Sequence, residues 1–364
     1  MACLLLAAAC GDDDDGTATA ASATATAPAA DAEEEQVTQD QASTSEPAEE
    51  PSASEAESDE PAEQEPVESE GADGYYPVTI EHDLGAATVE AMPERIVAIT
   101  DQGELAALLA LGVQPVAFGQ RIPGEVDYLA AAGAYDPAIQ VFDSSAEVNF
   151  EELATFAPDL IVGQIGFITP DTLATFEAIA PTIPIGFDDW REGLLDVGAA
   201  IDDVAAAESK IAELEALIAG FPDRVSFAEG RSVSVALGFP GFGIYQFTNE
   251  SITGVLLGDA GLVPLPEPTG EDRNGNQLSL EQISLIDGEG LIVMDFEGAS
   301  MGGGSAALEF WEAQPLWPSL PAVQGDRVAV WFGGDAAAST FANALTIPVL
   351  LDAIEETLTD FFVE

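Results

Sequence analysis

The chain has 364 residues, with 67 Asp and Glu against 8 Lys and Arg, one His and two Cys, for a formal charge of −59. So few scattered cations cannot assemble the basic surface that nucleic acid needs, and they disfavour attraction to an anionic lipid surface through charge. His82 alone removes His-rich metal sites and most His-based triads, and with cysteine only at Cys3 and Cys10 the folded part has no disulfide and no thiolate metal site.

The chain opens M-A-C-L-L-L-A-A-A, followed by Cys10, Gly11 and the acidic run Asp12–Asp15. Apolar residues that end in small ones before a cysteine form the pattern of a lipoprotein signal peptide. Residues 1–10 are read as that segment, with Cys10 lipidated, which places the protein outside the cytoplasm on a lipid anchor in the cell membrane. Two details depart from the pattern: Ala7 stands where Leu is commoner, and the positively charged start is missing. Residues 11–74 hold 21 acids and no Lys or Arg, and they lack periodic apolar positions. Such a segment cannot bury enough surface to offset chain entropy, so it is expected to be a disordered, self-repelling tether. The other 46 acids share residues 75–364 with all 8 bases. That balance suits a protein adapted to salty surroundings and equally a generally acidic proteome.

From Tyr75 strand and helix signals alternate. Val78, Ile80, Thr88 and Val89 around Gly85 suggest a hairpin. Arg95–Thr100 reads as a buried strand, Glu104–Leu111 as a helix stopped by Gly112, and Pro115–Gly119 as the next strand. A helix over Asn149–Phe156, a strand over Asp159–Gly163, a helix over Asp171–Ala180 and a strand over Thr182–Gly186 follow. Leu194, Val197, Ile201, Val204, Ile211, Leu214 and Ile218 then form one apolar stripe, predicting a single long helix over roughly Glu192–Gly220. Beyond Pro222 come a strand at Ser232–Leu237, helices at Ser251–Gly258 and Ser279–Leu285, and a strand at Gly290–Asp295. This rhythm implies α/β architecture: two Rossmann-like lobes with mostly parallel sheets, residues 75–191 and 222–364, joined by a spanning helix over 192–221.

An internal echo points the same way. Asn149-Phe-Glu-Glu-Leu and Ser279-Leu-Glu-Gln-Ile each begin a helix with a capping box, pairing Asn149 with Glu152 and Ser279 with Gln282. An acid, Asp159 or Glu289, follows at the same distance before a strand. Glu151 and Glu281, at the second helical position, are left free to point outward. An acid there also simply favours a helix N-terminus.

Pro93–Ile99 (P-E-R-I-V-A-I), Glu104–Val113 and the run N-F-E-E-L-A-T-F-A-P-D-L-I-V from Asn149 together resemble the iron-siderophore substrate-binding proteins of ABC transporters. So do I-A-P-T-I at Ile179, S-L-E-Q-I from Ser279, and P-L-W-P-S-L-P-A-V with G-D-R-V-A-V at Pro315–Val330. The resemblance implies the class III periplasmic-binding-protein fold, with ligand held between the lobes and no catalysis. It also implies that one glutamate on each lobe docks to arginines of the permease, and Glu151 and Glu281 match those positions. The expected partners are a ferric siderophore, ABC permease subunits and the membrane through the lipid anchor, with no nucleic acid, and the protein acting as a monomer.

Ligands of open α/β sheets sit beyond the carboxyl ends of the strands. The residues there or nearby that suit a bulky chelate with partly negative oxygens are Arg121, Trp190, Arg191, Phe239, Tyr245, Arg273 and Trp331. Each aromatic could instead pack in the core, and each arginine could pair with a surface acid. Neutral or cationic hydroxamate chelates fit the charge better than ferric citrate. Haem would call on Tyr245 as axial ligand, and cobalamin would need a broad aromatic cleft. No cofactor and no protein-held metal is assigned. A ligand-sensing receptor is a further alternative. A secreted hydrolase is a remote one, since Gly-x-Ser-x-Gly is absent and no serine has a histidine partner. A single spanning helix predicts only slight closure of the lobes on ligand.

Overall fold

The computed structural model describes residues 74–121, 136, 138–145, 147–186, 189–295, 306–340 and 342–363. The leader, Cys10 and the acidic tether lie outside the described residues. A hairpin of β1 (Val78–His82) and β2 (Gly85–Val89) comes first. Just before it, the Tyr75 and Tyr76 hydroxyls donate to the carbonyls of Ala199 and Ala200, each at 2.8 Å.

The first five-stranded sheet is wholly parallel. It comprises β3 (Ile96–Ala98), β4 (Ala117–Gln120), β5 (Gln140–Asp143), β6 (Leu160–Gln164) and β7 (Thr182–Ile185), in the order β5-β4-β3-β6-β7. Helices α1 (Gly103–Ala110), α2 (Phe150–Thr155) and α3 (Leu173–Glu177) belong to its crossovers. The central strands are apolar on both faces, as a covered parallel sheet requires. Ile96 and Ala98 point into one core and Val97 and Ile99 into another, with Leu153, Ile161 and Phe176.

The predicted single connector is two helices, α4 (Trp190–Ala200) and α5 (Val204–Arg224). Between them Asp202 takes a left-handed φ of 56°, and the Asp203 carboxylate accepts from the Ala206 N–H at 3.0 Å to start α5 afresh. Two adjacent acids with this local bonding override an apolar stripe that runs on through them. The helices fold back side by side: a Cβ on Gly198 would approach the Ala207 Cβ to 2.8 Å, and Arg191 Nε reaches Glu215 at 2.8 Å. The spanning element is therefore α5, whose 21 residues cover about 31 Å. Ala207, Leu214 and Phe221 are its buried stripe.

The second sheet is mixed, in the order β10-β9-β8-β11-β12. β8 (Val233–Phe239), β11 (Gly290–Asp295) and β12 (Val328–Phe332) run parallel, while β9 (Gly243–Phe247) is antiparallel to both β8 and β10 (Gly275–Leu278). Helices α6 (Ile252–Asp259), α7 (Ala306–Glu312), α8 (Pro321–Gln324), α9 (Gly333–Thr340) and α10 (Thr346–Phe362) complete the chain. The segment Leu280–Leu285, expected as an α-helix, is 3-10. One apolar core runs from Leu105 and Val162 through Leu194, Leu214 and Phe221 to Val235 and Leu350.

The sequence echo has a physical counterpart. Asp159, just before β6, accepts from the backbone N–H groups of Glu94 and Arg95 at 2.8 Å, just before β3. Glu289, just before β11, forms an ion pair with Arg231 Nε at 3.0 Å and accepts from the Ser232 N–H at 3.4 Å, just before β8. In each sheet an acid ties the same pair of neighbouring parallel strands together at their starts.

Candidate functional site

At the carboxyl ends of the first sheet, Thr100, Asp101 and Gln102 follow β3 and are all buried. Gln120 and Arg121 close β4, and Ile165–Phe167 follow β6. There Gly166, at a φ of 110°, turns the chain and the half-buried Phe167 ring receives the Arg121 guanidinium at 4.7 Å. Among the described residues the other seven bases are engaged elsewhere. Arg191, Lys210, Arg224, Arg231 and Arg273 pair with carboxylates. Arg95 donates to the Phe156 and Ala157 carbonyls, and Arg327 to that of Phe361. A guanidinium lying on a ring keeps its N–H edge for oxygen acceptors, so Arg121 is the cation at a strand end that can meet a ligand.

Arg191 is placed differently from its expected role. Its Nη1 pairs with Asp189 at 3.3 Å, its Nε pairs with Glu215, and its guanidinium covers the Trp190 ring at 4.4 Å. These contacts join the start of α4 to the middle of α5. Arg273 is 70% exposed along its side chain and forked onto Glu250 by Nε and Nη2. Both have the surface carboxylate partners that so acidic a chain offers.

In the second sheet the turn from β8 to β9 carries the aromatics. Gly241 and Gly243 take φ values of 84° and 94°, which let a tight turn bring Phe239 and Phe242 face to face, with centroids 4.6 Å apart and planes at 14°. Tyr245 continues the row, 6.5 Å from Phe242 and 5.4 Å from Phe247. Its hydroxyl donates to Asp272 Oδ2 at 2.8 Å, and burial together with that carboxylate raises the phenol above its ordinary pKa. A phenol held this firmly in its protonated form does not suit axial ligation of haem iron. Gly275 lies under the ring: a Cβ there would come within 2.1 Å of Tyr245 Cζ.

Trp331 corrects an expectation. It is 3% exposed, sits in the apolar core opposite Met294, and donates from Nε1 to Thr357 Oγ1 at 2.9 Å. Its neighbour Phe332 is 45% exposed, opposite Asp295 at the end of β11. Successive strand residues face opposite ways, so the accessible aromatic is the next one along.

The two glutamates of the echo are both exposed. Asn149 caps α2 by accepting from the Glu151 and Glu152 N–H groups at 3.1 and 3.2 Å. At Ser279 the box is reciprocal, with the Gln282 side chain accepting from the Ser279 N–H at 3.0 Å. Glu281 is not wholly free: its own N–H and the Ser279 hydroxyl bond to its carboxylate and lower its pKa. His82 stays within its hairpin, its Nδ1 accepting from the Leu84 N–H at 3.3 Å. Among the described residues no group of three or more His, Cys, Asp or Glu could hold a metal ion, and no helix is long and apolar enough to cross a membrane.

The periplasmic binding protein family model matches residues 97–332. The chain belongs to this family. A curated relative, the probable siderophore-binding lipoprotein YfiY of Bacillus subtilis, is 25% identical over 299 residues, covering 76% of this chain and 86% of YfiY. Among solved structures, a periplasmic solute binding protein of Mycobacterium smegmatis superposes with a TM-score of 0.64 at 22% identity, over 78% of this chain and 98% of that one. FeuA of Bacillus subtilis, a triscatecholate siderophore binding protein complexed with ferri-bacillibactin, gives 0.61 at 21% identity, over 79% and 100%. The fold is thus the class III periplasmic-binding-protein fold: two sheets with parallel cores joined through a spanning helix.

Proposed function

We propose that this chain captures a ferric siderophore outside the cytoplasm and delivers it to an ABC permease, anchored by a lipid on Cys10 and working as a monomer without catalysis. The observation that carries the reading is the pairing of chemistries at the strand ends: a guanidinium on a ring at Arg121 and Phe167, and an aromatic turn at Phe239 and Phe242. A ferric chelate is bulky and largely apolar outside, with partial negative charge on its donor oxygens, so it uses both. A free metal ion would need converging ligands. Membership of the periplasmic binding protein family and the likeness to a probable siderophore-binding lipoprotein, YfiY, support the same reading. One cation against the surrounding acids favours a neutral or cationic chelate of the hydroxamate type.

Residues 75–191 and 222–364 would act as the two ligand-holding lobes, with Glu151 and Glu281 as the permease contacts. Titrating intrinsic fluorescence with ferrioxamine B, ferric citrate and haem tests the ligand. Saturable quenching by ferrioxamine B at lower concentration than by ferric citrate is expected, and tighter binding of haem than of any ferric siderophore refutes the reading. For docking, Glu151→Ala with Glu281→Ala should leave ligand affinity intact and reduce uptake, because truncating a charge dried at an interface costs roughly 2–5 kcal/mol. Wild-type uptake by the double variant refutes that role.

A further inference from the structure

Glu104 is an acid in the first turn of an otherwise apolar helix, and it is fully buried. Its Oε1 accepts from the Thr100 N–H at 2.7 Å and from Thr100 Oγ1 at 2.8 Å. Thr100 Oγ1 in turn accepts from the Gln102 N–H at 3.3 Å. The turn that follows β3 is therefore folded around one carboxyl group, whose Oε2 is buried without a hydrogen-bond partner among the described residues. Asp101, inside that turn, bonds to the backbone N–H of Arg121 and feels its charge.

We propose that Glu104 is a positioning residue for the ligand site, holding the Thr100–Gln102 turn and through Asp101 the placement of Arg121, and that its proton makes ligand affinity depend on pH. The proposal rests on the reading of Arg121 as a ligand contact.

Burial pushes Glu104 up to about 7 and Asp101 up to about 6, and the charge of Asp101 adds to the rise at Glu104. The two titrate as a coupled pair. A proton on Glu104 Oε2 leaves both Thr100 bonds on Oε1 in place, and Asp101 can then be the charged member beside Arg121. Losing that proton sets a second buried anion next to the first. The repulsion, and the need to hydrate Oε2, displace the turn.

The groups facing Glu104 are few. Its own turn contributes Asp101, whose charge it feels, while Arg121 at the end of β4 acts on Asp101. β6 contributes the neutral Gln164, whose Nε2 lies beside Gly103. α4 packs against α1, but its Glu192 and Asp196 interact with each other rather than with Glu104.

The test compares wild type with Glu104→Gln, whose amide oxygen can still accept from Thr100 but which carries no exchangeable proton in this range. Wild-type affinity for ferrioxamine B should fall at least about threefold from near pH 6.5 to near pH 8.5, while that of the variant stays level. Parallel profiles for the two proteins overturn the proposal. The second measurement needs no ligand: the amide resonance of Thr100 should shift with a midpoint near 7 in the wild type and stay flat in the variant. A Thr100 resonance that does not titrate in the wild type also overturns the proposal. If Thr100 titrates but ferrioxamine B and the other ferric chelates fail to bind, the ligand reading falls and the proton-linked turn stands.

Discussion

The two sheets end in different chemistry, and their topologies account for much of it. All five strands of the first sheet are parallel, so every carboxyl end lies along one edge, and the strand ends, turn and helix start that meet there carry Asp101, Glu104, Arg121 and Gln164. In the second sheet β8, β10, β11 and β12 end at the corresponding edge, and β9 alone of its five strands runs back from it. A tight hairpin therefore occupies that edge, and it brings Phe239 and Phe242 into a stack. A parallel edge gathers ionisable groups from crossover loops, whereas an antiparallel turn presents the side chains of one short segment. In this protein the first edge supplies charge and its titration, and the second supplies a rigid apolar surface.

If that division holds, the largest effect comes from Arg121→Ala. Loss of a hydrogen bond from a charged group, about 1.5–3 kcal/mol, weakens a ferric siderophore by roughly 10- to 100-fold. Arg191→Ala and Arg273→Ala, which remove surface ion pairs, change affinity less than about threefold. Equal losses in all three, measured by fluorescence titration, would erase the distinction between the strand-end arginine and the others. Phe242→Ala breaks the stack with Phe239 and costs about 0.5–1.5 kcal/mol of binding, with little change in its pH dependence. Calorimetry at two pH values checks both parts.

A third contrast lies within one strand. Trp331→Phe loses the bond to Thr357 and leaves a cavity, so unfolding free energy drops by at least about 1 kcal/mol with affinity unchanged, while Phe332→Ala does the opposite. Denaturant melts and ligand titrations of the pair separate the two roles.

A separate effect is on stability against pH. Asp101 rises from 3.8 to about 6 and Glu104 from 4.5 to about 7 on folding, so the native state holds more protons than the unfolded chain across that span. Stability from this source is present at low pH and is lost as pH rises toward 7. Thermal melts of Glu104→Gln should show a flatter decline than the wild type. Identical slopes would mean that the first edge does not titrate as described.

The parallel cores were legible because β3, β6, β8 and β11 are short apolar runs bounded by turn residues. β9 and β10 escaped: their G-I-Y-Q-F and G-N-Q-L sequences carry no clear alternation, and they are ordered by pairing, β9 with β8 and β10 with β9, rather than by a local pattern. The break at Ile201–Asp203 was hidden because the stripe of apolar positions continues through it. Strand ends were the sequence's pointer to a candidate site, but side-chain parity decides which of Trp331 and Phe332 is accessible, and two adjacent aromatics give no hint of it. Glu104 had a visible signal, a lone acid at the head of an apolar helix, which reads equally as ordinary helix-terminus chemistry.

The paired tyrosines before β1 have a mechanical consequence. Their hydroxyls grip the last turn of α4, beside the left-handed residue that separates it from α5. Any load reaching Tyr75 from the N-terminal side is therefore delivered to a helix end next to the connector and not to a strand of either sheet. Such a load would be taken up at this collar, sparing the register of both sheets.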